Sequence, residues 1–277
     1  MSSADTDARS PSRRGLLERL DRRLRRTVAR PGRQRVLAIL GMHRSGTSNL
    51  AGSLEQAGLY LGGDDVEASS RWNAKGNRES RMLSRLHEGL LESNGGDWRH
   101  PPAHVHWDEQ AKRARDRFIR SRSSHAYWGF KDPRAVFLVE GWLEVLPEMG
   151  MVATVRHPAA VAESLRRRHP NKPPEDWLAL WLRYNQRLLE LQQTHGFAII
   201  DFDLAPDAYL QRLETLTAEL GLQATEDHEP FFDPALRSRE DRHDAELPAE
   251  VDEVYRELTM IAARQAAKAG PRSGSAS

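Results

Sequence analysis

The 277-residue chain carries 41 basic and 40 acidic residues, so no broad field of one sign marks it as a nucleic-acid binder. Its 39% hydrophobic content suffices for one sizeable core, and the absence of cysteine excludes a disulfide framework and thiolate metal sites. No run approaches the roughly 20 apolar residues of a membrane helix, and no signal-like apolar stretch stands near the start, which points to a cytoplasmic protein. In chain order, residues 1–34 form an Arg-rich arm in which Leu16, Leu17, Leu20, Leu24 and Val28 recur at helical spacing. Residues 13–30 read either as a basic amphipathic helix for a membrane surface or partner, or as a solvated arm. Short apolar runs at 35–40, 127–130, 151–155 and 197–202 then read as strands buried on both faces. Helical patterns fall at 47–57, 78–93, 108–122, 134–147, 158–168, 174–195 and 206–220. This alternation predicts one α/β domain over 35–268, a three-layer fold with a central parallel sheet flanked by helices. Residues 269–277, small and polar, read as a disordered tail.

In an open parallel sheet, ligands sit beyond the carboxyl ends of the strands, and the chemistry-bearing residues gather at those ends. After the first strand comes GMHRSGTS, residues 41–48. Gly41 and Gly46 allow a tight turn that aims backbone N–H groups inward, and the helix that follows adds its positive end. In the register of a nucleotide-hydrolysing phosphate loop, Thr47 stands where the lysine belongs, while Arg44 stands three residues earlier. Ser45, Thr47 and Ser48 add hydroxyls. The set suits an anion other than the β- and γ-phosphates of a nucleoside triphosphate.

The loop resembles the 5′-phosphosulfate loop of sulfotransferases that use PAPS (3′-phosphoadenosine 5′-phosphosulfate). Two later elements extend the likeness. In MVATVRHPAAVAESLRRR, residues 151–168, Arg156 at a strand end and Ser164 eight residues on resemble the family's grip on the donor's 3′-phosphate. In WGFKDPRAVFLVEGW, residues 128–142, the Lys-Asp-Pro element is similar to that of tyrosylprotein and bacterial carbohydrate sulfotransferases. The likeness implies that Lys131 reaches the bridging oxygen or sulfuryl group; Asp132, just before Pro133, reads as a helix cap. It runs from about residue 35 to 240 and implies PAPS as donor and a carbohydrate or other hydroxyl-bearing acceptor. No metal and no nucleic acid are expected. Arg237 and Arg239, late in the chain, are weaker cofactor candidates or surface residues.

A hydroxyl acceptor needs a base within hydrogen-bond reach. Glu79, in NAKGNRES at 73–80, is the candidate, because Asn73, Lys75, Gly76 and Glu79 match an Asn-Pro-Lys-Gly-aromatic-aromatic-Glu segment of bacterial relatives. Ala74, Asn77 and Arg78 depart from it and imply a polar, basic acceptor rim. Glu79 reads equally as an inert helix-start carboxylate, with His87, Asp64 and Asp65 as alternatives. His43 reads as a loop-shaping residue, and Trp177 and Trp181, four apart, as core. Asp201 and Asp203 resemble paired metal-holding acids of some glycosyltransferases, but that reading leaves Arg44, Lys131, Arg156 and Ser164 unexplained, and solvated carboxylates are ordinary at a strand end. A small-molecule kinase, or a non-catalytic relative with a vestigial donor site, remains the competing expectation.

Overall fold

The computed structural model describes residues 34–66, 75–223, 231–234 and 246–268. The basic arm at 13–30, Asn73, Ala74, Arg237, Arg239 and the tail at 269–277 lie outside them. Four strands, β1 (Arg35–Leu40), β2 (Tyr127–Lys131), β3 (Gly150–Val155) and β4 (Ala198–Asp201), pair in parallel in the order β2-β1-β3-β4. Around them lie α1 (Thr47–Gln56), α2 (Arg81–Ser93), α3 (Glu109–Ser121), α4 (Val139–Leu143), α5 (Pro158–Arg168), α6 (Pro174–His195), α7 (Pro206–Glu219) and α8 (Ala249–Lys268).

The two-residue period of a strand explains the layering. In β1, Val36, Ala38 and Leu40 join one apolar cluster, while Leu37 and Ile39 join another on the opposite face. Leu83 and Leu86 of α2, Phe118 of α3, Trp181 and Leu188 of α6 and Leu258 of α8 cover the first face. Leu50 and Leu54 of α1 with Tyr209, Leu213 and Leu216 of α7 cover the second. Sandwiched this way, Ala38, Ile39 and Leu40 lose all solvent contact, and each large aliphatic side chain contributes about 1.5–3 kcal/mol through burial. The expected α/β architecture is therefore what the residues build.

Two elements differ from the expectation. The helix expected over 134–147 breaks into a 3₁₀ turn (Pro133–Phe137) and the short α4, parted by Leu138 at φ −122°. Val136, Leu138, Val139 and Trp142 are all buried, more than a single stripe of a straight helix could turn inward. The long α8 was not foreseen. It packs through Val251, Val254, Leu258 and Ala262, a stripe at helical spacing in an otherwise charged and alanine-rich stretch.

The topology locates the site. From β1 the chain moves to β2 on one side, then crosses to β3 on the other. Where such windings diverge, the loops leave a crevice at the strands' carboxyl ends. The register aligns those ends, pairing Ile39 with Lys131 and Leu40 with Ala153. The loop after Leu40, the end of β2 and the loop after β3 thus open onto one side of the sheet.

Candidate active site

The loop at 41–46 has the geometry its glycines predict. Gly46 has φ 90°, and a Cβ there would meet the Phe202 ring at 2.3 Å; only glycine combines that turn with that approach. Gly46 stands at the N-cap of α1 with no side-chain cap, which leaves first-turn amides and the positive helix end for an anion. Ser45 is turned inward, its hydroxyl donating to the Met42 carbonyl at 2.5 Å. Thr47 is buried, and the Ser48 hydroxyl donates to the Asn77 carbonyl at 3.0 Å. In this arrangement the Ser45 and Ser48 hydroxyls shape the loop.

Arg44 holds a left-handed conformation at φ 68°, and its side chain reaches α5. Its Nε donates to Ser164 Oγ at 2.9 Å, and Arg156 Nη1 donates to the Arg44 carbonyl at 3.1 Å. Residues 112 and 120 positions apart in sequence therefore meet. Burial, then the charges of Arg168, Arg156 and Arg167, push the Arg44 guanidinium down to about 10. It stays protonated at neutral pH, in a setting that disfavours its charge until an anion arrives.

Asp203 has a different part from the metal-holding one considered for it. Its Oδ2 accepts the His157 amide at 2.5 Å, and Oδ1 lies 3.8 Å from Arg156 Nε. Asp201 Oδ1 accepts the Asp203 amide at 2.9 Å. The Asp-Phe-Asp turn therefore steadies Arg156 and the start of α5. Trp181, fully buried, donates its indole N–H to the Arg156 carbonyl at 3.0 Å.

On the other side of the loop, β2 delivers Lys131, only 3% exposed. Its Nζ lies 2.6 Å from Glu79 Oε1 and 2.9 Å from the Asn77 carbonyl. Glu79 Oε2 lies 3.5 Å from Arg134 Nη2, and Arg134 also pairs with Glu88. Asp132 Oδ1 takes both the Arg134 amide at 2.9 Å and its Nε at 2.8 Å, so the expected cap doubles as an ion-pair partner. Asp132 Oδ2 is 3.1 Å from His87 Nδ1, at an angle short of a well-formed hydrogen bond. Burial alone would raise the Asp132 carboxyl, but His87 and the Arg134 guanidinium outweigh it and hold it well below the usual carboxylate range.

The alternative bases lie elsewhere. His87 is fully buried, its Nε2 accepting the Trp142 indole N–H at 3.1 Å. Asp65 is engaged by Ser80 and by Arg122 Nη2, the latter at 3.1 Å, and the Asp64 carbonyl accepts from Arg81. Both fasten the segment that carries Glu79. Arg78, at φ 58°, clamps the same segment to α1 through Glu55 at 2.7 Å. His43, inside the loop, is pushed down to about 3 by burial and by the Arg134 charge, so it is neutral at working pH. Its ring lies 4.8 Å from Trp98 and 5.8 Å from Tyr184.

Arg134, Asn77 and Trp98 were missed as contributors. Arg134 had a signal in the sequence, an arginine two residues after the capping Asp132. Asn77 acts through its carbonyl, which no residue type announces.

No protein-family model matches the chain, and no curated protein matches it. Among solved structures, the sulfotransferase domain of the olefin synthase from Synechococcus PCC 7002 aligns at a TM-score of 0.53 and 18% identity, covering 83% of this chain and 97% of that one. A sulfotransferase from Mycobacterium tuberculosis H37Rv aligns at a TM-score of 0.43 and 12% identity over 92% of this chain and 81% of its own. One from Alicyclobacillus acidocaldarius aligns at 0.43 and 14% over 85% and 94%. The chain thus shares the α/β fold of the Synechococcus sulfotransferase domain.

Proposed function

We propose that the chain is a PAPS-dependent sulfotransferase acting on a hydroxyl acceptor, with a carbohydrate as the first acceptor class to try. The observation that carries this reading is the joining of Arg44, Arg156 and Ser164 into one cationic cradle beside the Lys131–Glu79 pair. Buried guanidiniums gathered around an uncapped helix end suit a ligand with several negative charges. The donor supplies a sulfuryl group already activated on a phosphate.

On this reading the amides from Gly46 to Ser48 and the Arg44 guanidinium hold the 5′-phosphosulfate. Arg156 and Ser164 hold the 3′-phosphate. Lys131 meets the charge that develops on the leaving phosphate oxygen. Glu79 exchanges its contact with Lys131 for the acceptor hydroxyl and takes its proton. The acceptor oxygen bonds to sulfur as the bond from sulfur to the bridging phosphate oxygen breaks, leaving adenosine 3′,5′-bisphosphate. Arg134 and Asn77 set where Glu79 and Lys131 stand.

Calorimetry with adenosine 3′,5′-bisphosphate, ADP and AMP in parallel tests the donor class without an acceptor. The expected result is tightest binding of the 3′,5′-bisphosphate. Preference for ADP would favour a kinase, and failure of all three a vestigial site.

A further inference from the structure

A second basic feature lies beyond the loop, where α6 faces the segment around residue 99. A cavity of about 380 Å³ is lined by Arg99, His100, Lys172, Asp176, Trp177 and Arg183, among others. Three cations face one carboxylate there. Asp176 lies 3.9 Å from Lys172, which leaves two arginines over. Arg99 Nε is buried without a hydrogen-bond partner among the described residues. Its guanidinium carbon stands 4.6 Å over the Trp98 ring, which holds the cation in place.

The cavity connects to the transfer centre through aromatic rings. Trp177, in its wall, stacks on Trp98 at 6.4 Å and 11°, and Trp98 meets His43 of the loop at 4.8 Å. The Tyr184 hydroxyl fixes that wall by donating to the Trp98 carbonyl at 2.8 Å. His169, at the end of α5, lies 5.6 Å from Trp177 and 6.0 Å from Trp98. Trp177, Trp98 and His43 therefore form a continuous line of rings from the cavity wall to the loop that carries Arg44.

We propose that this cavity binds the acceptor, and that the acceptor carries a fixed anionic group, a carboxylate or phosphate, besides the hydroxyl that is sulfated. The anion docks on Arg99 and Arg183, with Lys172 at the rim, and the body of the molecule lies along Trp177 and Trp98. This deepens the sulfotransferase reading and rests on it for the chemistry, though the anion site stands on its own geometry. An anionic group gives Arg99 and Arg183 the counter-charge that Asp176, near Lys172, does not supply, and an uncharged acceptor gives none.

Matched pairs of hydroxyl compounds test this: galactose with galacturonate, and glycerol with glycerol 3-phosphate. Binding is read by saturation-transfer NMR with adenosine 3′,5′-bisphosphate present, and turnover by label transfer from PAPS. In at least one pair the anionic member should bind, and be used, at least about 10-fold better than its neutral partner, as one charge-assisted contact allows. Which pair responds separates carboxylate from phosphate. The preference should fall to about 1 in the Arg99→Ala/Arg183→Ala protein and return in Arg99→Lys/Arg183→Lys, while affinity for adenosine 3′,5′-bisphosphate stays level in both. Equal binding of the members in both pairs, or a preference that survives the double alanine variant, overturns the inference. If adenosine 3′,5′-bisphosphate itself does not bind, the donor reading fails. If it binds while neither anionic compound does, only the acceptor inference fails.

Discussion

The two flanks of the phosphate-type loop differ in how their charges are balanced. On the β2 side every charged group meets an opposite one: Lys131 pairs with Glu79, and Arg134 with Glu79, Asp132 and Glu88. On the β3 side, burial and the charges of Arg168, Arg156 and Arg167 work against that of Arg44, although Asp203 lies near Arg156 and Glu163 near Arg167. A balanced network fixes side-chain positions; a net excess of like charge around one guanidinium favours an anion beside it. On the proposed reading, the β3 side holds the donor and the β2 side carries the chemical step.

Breaking the β2 side should have the larger effects. Glu79→Gln keeps the shape but loses the basicity, so kcat should fall by about 10²–10⁴ in a label-transfer assay. The loss should shrink with acceptors of lower hydroxyl pKa, which need less help losing a proton. Lys131→Met should also lower kcat, but by a factor independent of acceptor pKa. Normal turnover by Glu79→Gln with the native acceptor would remove Glu79 from the chemistry.

Next in size is stability. Asp132 is fully buried, and Asp132→Asn should cost about 3–5 kcal/mol, the usual loss when one partner of a buried ion pair is removed. Urea unfolding measures it. Because the folded carboxyl is held below its ordinary value, its contribution is present above about pH 4 and is lost as pH falls further. The stability gap between wild type and Asp132→Asn should therefore be constant at neutral pH and narrow below about pH 4. A gap that widens in acid would refute the ion-pair account.

On the β3 side the same kind of deletion should spare the fold. Arg44→Ala relieves like-charge crowding but gives up the hydrogen bond to Ser164, so urea unfolding should shift by no more than about 1.5 kcal/mol. Donor-product affinity should drop by about 10- to 150-fold, the 1.5–3 kcal/mol of a charge-assisted contact. A smaller effect of a different kind belongs to Arg156→Ala. It should bring adenosine 3′,5′-bisphosphate and 5′-AMP to nearly equal affinity, because only the 3′-phosphate is lost. Parallel weakening of both ligands would instead mark Arg156 as structural.

Much of this layout was legible in the sequence because it is local. The strand β1, the glycines of the loop and the run from Arg156 through Pro158 each declare themselves within a dozen residues. Asp132 before Pro133 foretold its cap, though not its pairing with Arg134 and His87, which joins α2 to the end of β2. What stayed hidden depends on tertiary approach. Nothing near Arg44 announces that its side chain will land on Ser164, nor does Trp98 reveal that it will bridge His43 to Trp177. The inward turn of Ser45 was equally hidden, since a hydroxyl in such a loop serves ligand and backbone alike. The stripe of α8, Val251, Val254, Leu258 and Ala262, is visible in the residues but lies past the stretch the family likeness covers.

The division of labour comes down to one titration: adenosine 3′,5′-bisphosphate into the wild type, Arg44→Ala and Glu79→Gln proteins, followed by calorimetry. The account predicts tight binding to wild type, at least about 10-fold weaker binding to Arg44→Ala, and unchanged binding to Glu79→Gln. Full affinity in Arg44→Ala, or loss in Glu79→Gln equal to that in Arg44→Ala, would contradict it.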